Sequence, residues 1–410
     1  MSATTPTTIP SPTPAAVYPS TAGLVLLTCC AHAMAHFYEL SFPSVEPLVA
    51  KDYQVSTVVT GWLIFCWRLP WGFGALAAGW LVDRLGAARM LALFLGGCAV
   101  CSLLLGLAAP LAVLFVLMLA MGAAASIYHP AGLALISHVT TPETRGRALG
   151  MHGVFGSAGI AAAPLLAWAA ISVGFSWRDY FWMLVLPGAV LGAAFVAYLC
   201  RYGEPGPAAT RTGPSQDDRW DWISFAGLSG VGVLQGMVYA GALSFLVRYL
   251  SEVDVRAALP TDKVDHAAFW TSSVLLVGCV GQYIAGSIAR PSRLEWQLTA
   301  VTLLNVPCLT AMAFAEGYGR VAAAAAFALF HFMYQPIYNS LISKYTPRQR
   351  RSFSYGLSFT LTFGLGGIGA ALAGYLNEDW QKYGALAMIS TIATGCALYL
   401  WRRNARIASR

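Results

Sequence analysis

Charge is what this sequence has least of. Asp, Glu, Lys and Arg make up 10% of its 410 residues, against roughly a quarter in soluble proteins, which excludes an ordinary water-soluble globule. No Gly-x4-Gly-Lys-Ser/Thr run occurs, so the phosphate cradle of an ATP-driven machine is missing. No His-Glu-x-x-His occurs either. His32-Ala33-Met34-Ala35-His36 has the spacing of a zinc helix without its general base, which leaves an intramembrane metalloenzyme as a weak alternative. The net charge of +7 is modest and concentrated in loops, and nothing points to nucleic acid. Residues 1–20 contain no Lys or Arg and lack the basic flank of a signal peptide; their Ser/Thr/Pro content reads as a disordered tail. The nine cysteines lie almost entirely in apolar runs. Cys98-Ala-Val-Cys101 has redox spacing but no second pair, and it reads as packing. No cofactor and no resident metal is expected.

Apolar length is what the sequence has in abundance: 57% of residues are hydrophobic and the mean hydropathy is +0.61. About 20 mainly apolar residues span a bilayer as a helix. Twelve such runs occur, at about 21–49, 56–82, 88–108, 111–138, 148–172, 178–200, 222–249, 267–289, 294–315, 320–344, 353–376 and 381–401. Alternating segments of the kind a barrel needs are not seen. With both termini cytoplasmic, seventeen of the 25 lysines and arginines fall on the cytoplasmic side, seven outside, and Arg68 alone within a span. This is the positive-inside pattern.

The longest cytoplasmic loop, 202–221, is rich in Pro, Gly and Ser and divides the chain into two halves of six spans. The expected organisation is a tail at 1–20, a six-helix bundle at 21–201, a linker at 202–221, a second bundle at 222–401 and a basic cytoplasmic tail at 402–410. The halves resemble each other: YHPAGLALISHVTTPETRGRALG at 128–150 aligns with YQPIYNSLISKYTPRQRRSFSYG at 334–356. A six-span unit repeated in the same direction packs about an axis along the membrane normal, with the substrate at the interface between units.

The loop after span two reads GWLVDRLGAAR at 79–89. Its Gly79, Asp83, Arg84, Gly86 and Arg89 resemble the signature of the major facilitator superfamily. The second copy, GSIARPSR at 286–293, has lost the acid. The resemblance extends over nearly the whole chain and implies an all-α integral membrane fold of twelve helices in two pseudo-symmetric six-helix bundles. It also implies that the 79–89 loop, with Arg145 and Arg147 of the related segment, acts as a gating motif. YHPAGLALIS followed by RGRALGMHG looks most similar to the branch containing fosmidomycin-resistance transporters. Span four lacks the arginine of the drug/proton antiporter motif, and Ala163-Pro164 stands where the span-five motif has Gly-Pro.

Polar residues inside the spans carry the functional reading, because such groups in hydrocarbon face a partner or a path. His32, His36 and Glu39 are spaced four and three apart and so share one face of span one. Arg68, in FCWRLPWGF, needs a counter-ion; pairing with Glu39 or anchoring of an anionic solute is expected. The resemblance makes spans one, four, seven and ten the cavity lining, which adds His129, Gln235, Tyr239, His331, Tyr334, Gln335, Tyr338 and Asn339.

The expected function is secondary active transport of a small polar or amphipathic solute, neutral or anionic, coupled to protons. The mechanism would be rocking of the two halves in a monomer within a bacterial inner membrane. The lipid bilayer, the solute and the proton are its partners. One alternative is transition-metal transport on His32, Met34, His36, His331 and Met333. Another is a transporter-derived sensor.

Overall fold

The computed structural model describes residues 21–108, 110–206, 220–253, 263–290, 292–347 and 350–408. The tail at 1–20 and positions 207–219 of the expected linker lie outside the described residues. The structure is helical throughout. The first half holds α1 (Thr21–Tyr53), α2 (Thr57–Leu85), α3 (Ala87–Leu107), α4 (Leu111–Ala125), α5 (Tyr128–Val139), α6 (Pro142–Ser172) and α7 (Trp177–Tyr202). The second holds α8 (Trp222–Ser244), α9 (Leu246–Leu250), α10 (Lys263–Ile288), α11 (Leu294–Phe314), α12 (Tyr318–Tyr345), α13 (Arg351–Phe359), α14 (Ile368–Tyr375) and α15 (Asp379–Ala408).

Eleven helical segments of the described residues are long and apolar enough to cross a membrane. The remaining one, α2, has 29 residues, about 44 Å at ~1.5 Å per residue. Arg68, several tryptophans and several glycines dilute its apolar content.

Local chemistry explains the ends and breaks. Span four is broken between α4 and α5, where Pro130 has no N–H to offer the Ser126 carbonyl. Its counterpart α12 stays continuous through Pro336. α6 starts earlier than apolarity alone suggests, because Pro142 sits at its first position behind a Thr141/Thr144 capping box. Span eleven carries a π-helical turn at Thr360–Leu365 between α13 and α14, a distortion frequent at functional sites. The last helix runs on through Arg402, Arg403 and Arg406 to Ala408.

The two halves meet along three seams: α6 against α10, α2 against the π-turn and α14, and α1 against α9. Asp221 at the start of α8 pairs with Arg403 near the chain end at 2.8 Å, so both lie on the terminal face. The opposite face is fastened across the halves. Glu46 takes two hydrogen bonds from Arg248, at 3.0 and 2.9 Å, and one from Thr60 at 2.6 Å. Thr57 donates to the Gly374 carbonyl at 2.9 Å. At Gly72 a Cβ would run into the backbone of Gly364, so only glycine allows α2 this close to span eleven.

Candidate functional site

Near the middle of the bundle the helices bring together two polar groups and an aromatic cover. The first group is an ion-pair chain. Helical spacing puts His36 and Glu39 on one face of α1, and α2 turns Arg68 toward them. Glu39 accepts a hydrogen bond from Arg68 Nη1 at 3.2 Å and one from His36 Nδ1 at 2.7 Å. Arg68 is 1% exposed, and its Nε and Nη2 find no acceptor among the described residues. Its guanidinium lies 5.2 Å from the ring centre of Tyr239, which comes from α8 of the other half. The chain His36–Glu39–Arg68–Tyr239 therefore crosses the interface.

The second group is a cluster of imidazoles. His32 stacks on His152 of α6 with ring centres 3.7 Å apart, and its Nδ1 donates to the His152 carbonyl at 2.6 Å. Room for the His32 ring comes from Gly156, where any Cβ would occupy the same space. Tyr128 Oη lies 3.0 Å from the Thr28 carbonyl and 2.9 Å from His152 Nε2. A phenol has one proton, so both bonds are satisfied when Tyr128 donates to Thr28 and accepts from His152. His129, the next residue on α5, brings its ring to 5.5 Å from His32 and 5.6 Å from His36. One ring nitrogen from each of His32, His36 and His129 lies within 4.8 Å of the others.

The cover is aromatic and comes from both halves. Trp71 packs against Phe359 and Phe363 at 5.2 and 5.0 Å, and Phe359 also meets His129 at 4.7 Å. Phe363 belongs to the π-turn, which aims it inward at Trp71 and at Tyr239.

The second-half residues divide. His331 stacks with Tyr239 at 5.9 Å and accepts from Asn305 at 3.2 Å, and Asn305 also donates to Gln235 at 3.1 Å. Gln235 donates onward to Ser390 at 3.2 Å, so Gln235 and His331 sit in a buried network inside the second bundle, one ring from Arg68. Tyr334 and Tyr338 pack with ring centres 5.0 Å apart and tilted on the buried face of α12, whereas Gln335 and Asn339 are exposed on another face. The five-residue metal set of the sequence reading is not assembled. Met34 packs in the first-half core and His331 is engaged with Asn305; His129 stands with His32 and His36 instead.

The residues expected to gate lie on the terminal face. Gly86 ends α2 with φ +95°, a left-handed conformation that favours glycine. Glu204 accepts from the Ala88 and Arg89 amides at 2.7 and 3.2 Å, capping the positive end of α3. Arg84 lies 3.8 Å over the Trp80 ring, and Arg89 donates to the Leu85 carbonyl. Arg145 caps the end of α5 through the Ser137 and Thr140 carbonyls at 3.0 and 3.3 Å. Gly79 sits where α2 passes Pro130. Asp83 and Arg147 are exposed, and Asp83 makes no ion pair among the described residues.

Sequence reasoning missed Trp71, Phe359, Phe363, Glu204 and the Glu46–Arg248 pair. A signal existed for Glu46: it lies seven residues, two helical turns, beyond Glu39 on the same stripe. The aromatic residues carried none, since Trp and Phe are common throughout the spans.

Comparison with known proteins agrees with this architecture. A family model described as Major Facilitator Superfamily matches residues 25–371. The uncharacterized MFS-type transporter YceJ of Bacillus subtilis (strain 168) is 27% identical over 140 residues, 34% of this chain and 35% of that protein. The alignment thus spans about a third of that relative's length. Two crystal structures of a bacterial homologue of the human lysosomal transporter Spinster share the fold at 14% identity. They are an inward-facing occupied form at TM-score 0.78 and an inward-facing unoccupied form at 0.79, each covering 94% of this chain and 97% of the other. With the family model running from the first span into the eleventh, the chain belongs to the major facilitator superfamily of membrane transporters.

Proposed function

We propose that this protein is a proton-coupled secondary transporter of a small neutral or anionic solute, with coupling at the His36–Glu39–Arg68–Tyr239 chain. The observation that carries the reading is the state of Arg68: fully buried, bound once to Glu39, with two further donors that find no acceptor among the described residues. An unsatisfied buried donor costs about 1–3 kcal/mol. A solute with acceptor oxygens relieves that cost, and a cation does not.

The mechanism follows from charge. Glu39 as a carboxylate holds Arg68 and His36. A proton delivered through His36, whose side chain is 12% exposed, neutralises Glu39 and frees the guanidinium. The Tyr239 contact then loosens, and the halves rock about the central site. His32, His129, His152 and Tyr128 flank the path, and His331 lies beyond Tyr239. The exposed Asp83, without an ion pair among the described residues, and the fastened opposite face support an arrangement open at the terminal face. With the termini cytoplasmic, as the distribution of Lys and Arg favours, that arrangement is inward-open, in a monomer of a bacterial inner membrane. The segments 128–137 and 145–153 favour a relationship to fosmidomycin-resistance transporters.

Proteoliposomes test this. Candidate solutes are screened for uptake with inward-acid and outward-acid gradients, for the wild type and Glu39→Gln. Gradient-driven accumulation in the wild type, with only exchange retained in the variant, is expected. Full coupling in the variant removes Glu39 from the proton path.

A further inference from the structure

His32, His36 and His129 look like three members of an aromatic packing cluster, yet their nitrogens are arranged unlike packing residues. His32 gives its Nδ1 proton to the His152 carbonyl at 2.6 Å. His36 gives its Nδ1 proton to the Glu39 carboxylate at 2.7 Å. Each bond fixes the tautomer and leaves Nε2 as an unprotonated lone-pair donor. This is the outer-shell pattern that orients metal-ligating histidines. Nε2 of His32 and Nε2 of His129 are buried and have no hydrogen-bond partner. His152 is not part of the set, because its Nε2 is engaged by Tyr128 at 2.9 Å.

From this we infer that His32, His36 and His129 form a binding site for a divalent transition-metal ion of the zinc class. Imidazole ligands suit zinc, copper, nickel and cobalt and discriminate against magnesium and calcium. Bonds of about 2.0–2.1 Å place tetrahedral donor atoms roughly 3.4 Å apart. One ring nitrogen from each of the three lies within 4.8 Å of the others, so a closure of up to about 1.4 Å by side-chain rotation completes the shell. Three ligands leave a fourth position open. All three residues are in the first half, on α1 and α5, so binding does not depend on how the halves are rocked. On the proton-coupling reading, an ion here takes the lone pair through which His36 receives a proton, so metal and proton compete.

Cobalt(II) is the probe, because its visible spectrum reports a tetrahedral nitrogen site. The full-length, tag-free protein in detergent is titrated with Co2+ alone and then with Zn2+. The expected result is one saturable absorbance band, displaced by Zn2+. The neighbouring charges, Glu39 and Arg68, are retained in the wild type. His32→Gln and His129→Gln abolish the band, while His138→Gln, outside the cluster, leaves it intact. Glu39→Gln keeps all three ligands and weakens affinity by about 10- to 100-fold, the usual loss of an outer-shell partner. Each variant is accepted only if it elutes as the wild type does in size exclusion. The inference is overturned if the folded wild type shows no saturable band, or if the band survives both His32→Gln and His129→Gln. No transport enters this measurement, so its failure leaves the solute-carrier reading standing.

Discussion

Removing Arg248 should open the face opposite the termini. Arg248 makes two hydrogen bonds to Glu46 across the halves, at 3.0 and 2.9 Å. The Glu46 side chain is 1% exposed and that of Arg248 33%. In Arg248→Ala the carboxylate keeps, as hydrogen-bond donor among the described residues, the Thr60 hydroxyl. Hydrogen bonds to charged groups contribute about 1.5–3 kcal/mol. The partly exposed arginine is screened by water, so a loss near the low end, about 1.5–2 kcal/mol for the pair, is expected. At about 1.4 kcal/mol per decade, the equilibrium between closed and open at this face shifts roughly 10- to 30-fold. An open population of about 1% then becomes about 10–25%.

The shift is read by pulsed electron–electron distance measurement between spin labels at Gln54 and Glu252, both exposed on this face, in a cysteine-free background. A longer-distance component should grow in Arg248→Ala, and the charge swap Glu46→Arg with Arg248→Glu should suppress it. An unchanged distance distribution in Arg248→Ala refutes the reasoning, because the pair would then contribute nothing to closure.

Gly72→Val inserts a side chain into the backbone of Gly364 and should produce the same long-distance component with no change of charge; a native distribution would show that the α2 seam does not need the close approach. Arg68→Lys keeps the charge but lacks the planar fork. Solute binding, measured by exchange in proteoliposomes, should fall by about tenfold or more, the ~1.4 kcal/mol of one charge-assisted hydrogen bond. Undiminished exchange would remove Arg68 from the solute site.

Much of this molecule was legible along the chain. Eleven of the twelve expected spans follow from apolar run length; some ends lie several residues from the expected ones, at Thr141–Thr144 because of a cap and at the last helix because it runs on to Ala408. The shared face of His32, His36 and Glu39 follows from helical period. Arg68 beside Glu39 was expected on a simple ground: a guanidinium within a span needs a carboxylate at similar depth, and the neighbouring span offered Glu39. The repeat predicted two alike halves. Yet in the structure Tyr128 is hydrogen-bonded within an imidazole cluster, while its counterpart Tyr334 finds no partner among the described residues.

What the sequence by itself determined was therefore everything periodic: span number, the division into halves, and which residues share a helix face. What only the tertiary structure decided was which faces meet. His129 joins His32 and His36 because the break after Ala125 and the approach of α5 to α1 bring it there, and His331 is held with Asn305 in the second bundle instead. The π-turn aims Phe363 at Trp71, and Glu46 finds Arg248 some two hundred positions away. Helical spacing fixes neighbours three and four residues apart. Rotation and crossing between helices depend on small residues such as Gly72 and Gly156, whose effect appears only when a second backbone or ring fills the space a side chain would have taken.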